Sequence, residues 1–146
     1  MILVDSSVWV DYFRSADTPQ VALLDSLLGR TRIAVGDLIA AEVLQGVRDD
    51  KEFKLVKKVF DSFTRLELCG YDLALKASEN YRLLRGRGVT IRKTIDTLIA
   101  TRCIEDGLTL FAARMRGGGH ASLQPLAGTG SIPMLQQNQS DDAARI

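Results

Sequence analysis

MILVDSSVWVDYF, residues 1–13, opens on an apolar run that stops abruptly at Asp5. A short, unbroken apolar run bounded by a polar residue reads as a buried strand, and Val8, Trp9, Tyr12 and Phe13 then recur at helical spacing. A buried strand therefore leads straight into a helix. The same alternation continues. TPQVALLDSLLG is a helix with Pro19 near its start and Gly29 as its stop, and TRIAV is a second strand. GDLIAAEVLQGV and KEFKLVKKVFDSF read as two amphipathic helices, followed by a brief strand around RLEL. YDLALKASENYRLLRGRG is a long helix, TIDTLIATRCIEDG another that stops at Gly107, and LTLF a further strand. Beyond Phe111 the pattern weakens. SLQPLAG suggests a short helix, SIPML an edge strand, and QQNQSDDAARI a polar tail without core-forming periodicity.

Strands that alternate with helices imply an α/β protein whose mostly parallel sheet carries helices on both faces. In such folds, sites form outside the carboxyl ends of the strands. The 146 residues suit one domain, expected over residues 1–135 with the tail at 136–146. The balance of 19 Lys and Arg against 18 Asp and Glu leaves a net charge of +1, which argues neither for nor against nucleic acid. No apolar run approaches the length of about 20 residues that a membrane span needs. Residues 1–10 lack the basic region and cleavage site of a secretory signal. Cys69 and Cys103 have neither zinc-knuckle nor disulfide-framework spacing. A reduced cytoplasmic protein is the simplest expectation.

The informative residues are acids in apolar surroundings, because a buried carboxylate needs a cation or hydrogen bonds to offset its desolvation. Asp5 ends the first strand, where a parallel sheet would aim it into the crevice; alternatively it is a polar residue at the strand-to-helix turn, with Ser6 or Ser7 as the helix N-cap. Glu42 has Leu38 and Ile39 at i−4 and i−3, and Gly46, which permits close approach, at i+4. It is either a site residue or an acid snorkelling from the edge of an amphipathic helix. Asp96 lies in the first turn of a helix capped by Thr94, where the helix dipole alone would favour an acid. The three acids share one further reading: a doubly wound sheet could bring them to one crevice.

Several carboxylates with neither histidine nor cysteine suit a hard cation such as Mg²⁺, which takes oxygen ligands and keeps several waters. A metal-bound water can attack a phosphodiester while the metal stabilises the developing charge, which is the logic of a metal-dependent nuclease. The only concentrated basic stretch, RLLRGRGVTIRK, runs into the Asp96 turn. Its Arg82, Arg85, Arg87, Arg92 and Lys93 could draw a phosphate backbone to the acids, or could simply be a solvated helix end.

MILVDSSVWVDYF, GDLIAAEVLQGVRDD and RGRGVTIRKTIDTLIATRCIEDGLTLF, in this order and at these separations, strongly resemble a PIN-domain ribonuclease toxin of the VapC type, from Met1 to about Phe111. The resemblance implies a PIN-like three-layer α/β/α sandwich and hydrolysis of RNA that depends on Mg²⁺ or Mn²⁺. It also implies inhibition by a VapB-type antitoxin, and a homodimer that joins antitoxins in a larger complex. Matched residue by residue, Asp5, Glu42 and Asp96 correspond to the family's first, second and third acids. The first and third are the core metal ligands and the second completes or orients the cluster. Ser6 and Thr94 are carried only as neighbours.

One departure stands out. After a strand like LTLF the family places an acidic segment that supplies a fourth carboxylate, whereas no acid occurs here between Asp106 and Asp141. His120 and Ser122 fall where acids are expected. Gly117 to Gly119 do not form a P-loop, which needs the GKS or GKT ending and a following helix. His120 is a solvent-exposed loop residue, a substitute ligand for Mn²⁺ or an acid/base group. The gap implies weakened metal binding and lower activity with the fold kept, and it raises a second reading, a catalytically impaired PIN domain that acts by binding antitoxin or RNA. A phosphoacceptor receiver domain would need an acidic pair after the first strand and an acceptor aspartate after the third, and neither is found.

Overall fold

Residues 2–4 and 33–36 are buried along their whole length, as strands covered on both faces must be. They are the first two strands, β1 (Ile2–Val4) and β2 (Ile33–Gly36), of the sheet in a computed structural model that describes residues 1–89, 91, 93–113 and, as backbone, 122–125. β3 (Thr64–Leu66), β4 (Thr109–Ala112) and β5 (Ser122–Pro125) complete a sheet of order β3-β2-β1-β4-β5. β1 runs parallel to β2 with Leu3 opposite Ala34, and parallel to β4 with Leu3 opposite Leu110. β2 runs parallel to β3, with Val35 opposite Arg65. The α/β class and the mostly parallel sheet are those the alternation of elements implies.

Six helices accompany the described strands. They are α1 (Ser6–Phe13), α2 (Pro19–Leu27), α3 (Asp37–Gln45), α4 (Asp50–Asp61), α5 (Tyr71–Gly86) and α6 (Thr94–Asp106). Local chemistry sets their ends. Thr18 Oγ1 accepts from the Val21 N–H at the start of α2, with Pro19 just inside, where its missing N–H is harmless. Asp49 caps α4 by accepting from the Glu52 N–H at 2.9 Å. Gly107 ends α6 with φ +61°, a left-handed conformation that glycine adopts without strain.

The chain divides into two compact units. One is built on Met1–Glu67 with the segment that begins at Thr109, the other on Leu68–Leu108. The first holds the parallel strands and α1 to α4. Its core includes an aromatic cluster in which the fully buried Trp9 lies 5.2 Å from Phe60, 5.4 Å from Phe63 and 5.9 Å from Phe13. The second pairs α5 with α6. Leu84, Ile91 and Ala100 form its buried cluster, flanked by Tyr81, Val89 and Ile104, and Asn80 Nδ2 donates to Thr101 Oγ1 at 3.0 Å.

One element differs from the sequence reading. Ser122–Pro125 is a strand beside β4, not part of a short helix. Four residues ending in proline can gain hydrogen bonds at once from an existing sheet edge, whereas a new helix must first form its unfavourable nucleus. The edge strand expected at SIPML and the polar tail at 136–146 lie outside the described residues.

Candidate active site

In the chain's path β1, β2 and β3 succeed one another in one direction across the sheet, and β4 then pairs on the opposite side of β1. The strand order therefore reverses between β1 and β4, and a crevice opens at the carboxyl ends of strands at such a point. Asp5 immediately follows β1 there. Its N–H donates to the Phe111 carbonyl of β4 at 2.9 Å, and its own carbonyl accepts from Val8 and Trp9 at 3.2 Å as α1 begins. Asp5 itself, not Ser6 or Ser7, is the N-cap of α1. Its Oδ2 accepts from the Ser7 N–H at 3.1 Å and from Ser7 Oγ at 2.5 Å.

The two serines serve different acids. Ser7 Oγ also accepts from the Ala113 N–H at 3.3 Å, so one hydroxyl joins the end of β4 to the Asp5 carboxylate. Ser6 Oγ donates to Glu42 Oε2 at 2.8 Å across a sequence separation of 36 residues. Glu42 is half-buried on α3, beside the buried Val43 and three residues after the buried Ile39. Asp5 and Glu42 are thus brought together through consecutive serines. Each acid has one oxygen engaged by a serine, and among the described residues the other, Asp5 Oδ1 and Glu42 Oε1, accepts no hydrogen bond. Neither acid has a Lys or Arg partner among the described ion pairs. Two half-buried carboxylates with oxygens to spare and no cation beside them form an all-oxygen donor set, which suits Mg²⁺ or Mn²⁺ over softer metals. Among the described residues no group of three or more His, Cys, Asp and Glu side chains gathers as a ready metal cage.

Gly46 does not supply the close approach read from the sequence. It is the C-cap of α3, and a Cβ there would meet the Val43 carbonyl oxygen at 3.4 Å and the Glu42 carbonyl oxygen at 3.8 Å, both ordinary contacts. Asp96 belongs to the second unit, half-buried in the first turn of α6, where the dipole favours an acid. The N-cap there is Lys93, and Thr94 is the first helical residue. Arg85 is exposed in the last turn of α5, Arg87 caps that helix and Lys93 is exposed before α6. Arg92, His120 and the side chain of Ser122 lie outside the described residues.

The sequence reading missed the partnership of Ser6 and Ser7 with the acids, and it missed a second basic surface. Lys51, Lys54 and Lys58 are exposed on one face of α4. In the sequence they are interleaved with Phe53, Val56 and Glu52 and do not stand out as a run, so a helical-phase count would have found them where a composition scan does not.

Residues 2–114 match the model of the PIN domain family. Over 109 residues, 73% of this chain, the sequence is 33% identical to Ribonuclease VapC11 of Mycobacterium tuberculosis and, at the same identity, to a VapC ribonuclease of Mycobacterium bovis; the match covers 81% of each relative. Among solved structures, the DNA-bound VapBC of Salmonella typhimurium aligns with a TM-score of 0.63 at 13% identity, over 79% of this chain and 87% of that one. VapC20 of Mycobacterium tuberculosis, described as a toxin that cleaves the Sarcin-Ricin loop, aligns with a TM-score of 0.61 at 14% identity, over 80% and 92%. At such identities the structural likeness speaks for the fold.

Proposed function

The chain belongs to the PIN-domain family, among ribonucleases of the VapC type, and on that premise we propose that it is a metal-dependent endoribonuclease and the toxin of a toxin-antitoxin pair. The observation that carries this reading is the serine-held pair of acids at the strand-order reversal, in the segment matched to the family. In this proposal Asp5 and Asp96 hold Mg²⁺ or Mn²⁺, and Glu42 completes or orients the set. The ion, when bound, supplies an activated water and stabilises charge on the phosphodiester oxygen. The protein's own contribution is positional: Ser7 fixes the rotamer of Asp5, Ser6 fixes that of Glu42, and each leaves one carboxylate oxygen available. Arg85, Arg87, Arg92 and Lys93 are proposed to draw the RNA backbone toward Asp96.

The partners follow from the relatives. VapBC complexes are toxin-antitoxin assemblies, and at least three of the aligned structures are bound to DNA. We propose a VapB-type antitoxin, a homodimer and a larger complex of both for this chain. No helix among the described residues is long and apolar enough to cross a membrane.

A second reading is favoured by one observation, the lack of any acid between Asp106 and Asp141. If the fourth carboxylate is missing, the protein could act by binding alone. Cleavage of RNA by the purified protein, measured with Mg²⁺, with Mn²⁺ and with EDTA, separates the two. The proposal expects metal-dependent cleavage that Asp5→Asn and Asp96→Asn each reduce by about 100-fold or more, beyond the 10- to 100-fold effects usual for residues that only support ligands. Antitoxin binding without turnover under any metal would favour the binding-only reading, and undiminished cleavage in both variants would remove these acids from the mechanism.

A further inference from the structure

We propose that the solvent face of α4 is a phosphate-binding track that holds single-stranded RNA through Lys51, Lys54 and Lys58. The inference rests on the ribonuclease reading for its ligand, but on different residues. At 100° per residue the three lysines fall within an arc of about 60°, roughly opposite the buried Val56 and Phe60. They are exposed and make no hydrogen bond or ion pair among the described residues, whereas neighbouring Lys57 is tied to Asp61 at 2.9 Å. Like charges three and four residues apart repel, and Lys51 lies in the first turn, where the helix dipole disfavours a cation. The dipole favours only Lys58, in the last turn, so helix stability does not account for the stripe as a whole. An anionic ligand does.

The helix is well anchored to present such a face. Asp49 caps its start, Phe60 packs against Trp9 and Phe13, and Asp61 at its end engages both Lys57 and Arg65 of β3. From Lys51 to Lys58 the rise is about 10 Å, close to that of about three nucleotides in a stacked strand. The composition of the face selects the partner. Protein interfaces favour aromatic residues and arginine and are depleted in lysine, and this face offers three lysines around one exposed leucine, Leu55. Lysine is a flexible point charge with no fixed donor fork, which suits a repeating backbone contacted without regard to sequence.

The test is equilibrium binding of the full-length protein to a short, fluorescently labelled single-stranded RNA in EDTA, over a range of salt, alongside steady-state cleavage with metal. Replacing all three residues (Lys51→Gln, Lys54→Gln, Lys58→Gln) should make the slope of log K against log salt shallower by about 2, at about 0.7 per phosphate contact. It should also raise KM and leave kcat unchanged. The matching triple Lys→Arg variant should keep the wild-type slope. An unchanged slope in the glutamine variant overturns the proposal. So does an unchanged slope together with weaker capture of the purified antitoxin, which would make the face a protein contact. A wild-type protein that cleaves nothing, but whose RNA binding loses its salt slope in the glutamine variant, would overturn the nuclease reading and leave the track standing.

Discussion

The hydroxyl of Ser7 links the two strand ends that flank the strand-order reversal, donating to Asp5 and accepting from Ala113. If Asp5 is a metal ligand as proposed, a carboxylate held in this way does not have to give up rotamer freedom when a cation arrives, and the hydroxyl then acts on affinity more than on folding. Ser7→Ala should weaken Mn²⁺ binding about 10- to 100-fold, read by calorimetric titration, with little change in melting temperature, and Ser7→Thr should recover most of the loss. Equal Mn²⁺ affinity in Ser7→Ala would show that the hydroxyl is incidental. Cys103 makes a different kind of statement. Burial, and secondarily the charge of Asp106, push its thiol up to about 12 from an ordinary value of 9.0. Above pH 9 the unfolded chain releases this proton while the folded chain keeps it. The folded state should then lose about 1.4 kcal/mol of stability per pH unit between pH 9 and 12. Urea melts at several alkaline pH values would reveal that slope, and Cys103→Val should flatten it.

Among the elements, α4 depends most visibly on a few contacts. Phe60 is almost fully buried, with its ring 5.2 Å from Trp9 and 5.7 Å from Phe13. Phe60→Ala should destabilise the protein by about 3–5 kcal/mol in chemical denaturation, as truncation of a buried aromatic usually does. A loss below 1 kcal/mol would mean that α4 is held chiefly by its polar ends. The elements themselves were legible in the sequence wherever an unbroken apolar run or a helical stripe marked them. The continuous apolar strands at Ile2–Val4 and Ile33–Gly36, and the helical stripe of α4, illustrate this. Caps were harder to read, because Asp5, Ser6 and Ser7 can all accept a hydrogen bond from a helix N-terminus and only the backbone path decides among them. β5 was misread because its four residues carry no period, and its pairing comes from β4, not from its own sequence.

For the whole molecule, the acids Asp5 and Glu42 were marked in the sequence because charge amid apolar residues needs a reason. What binds each was not, since the contact from Ser6 to Glu42 spans 36 residues and exists only once α3 has packed near the start of α1. Membership of the PIN family, among ribonucleases of the VapC type, then supports the proposed chemistry that two carboxylates alone would leave open. In the proposed function Asp5 and Asp96, with Glu42 completing the set, hold a divalent ion that supports hydrolysis of RNA. The most direct measurement is single-turnover cleavage of an end-labelled RNA while Mn²⁺ is titrated, with wild type and Asp5→Asn side by side. Saturable activation by Mn²⁺ is expected in the wild type, abolished by EDTA, with at most residual cleavage in Asp5→Asn across the titration. Cleavage that persists in EDTA, or an Asp5→Asn curve that overlies the wild type, would contradict the proposal.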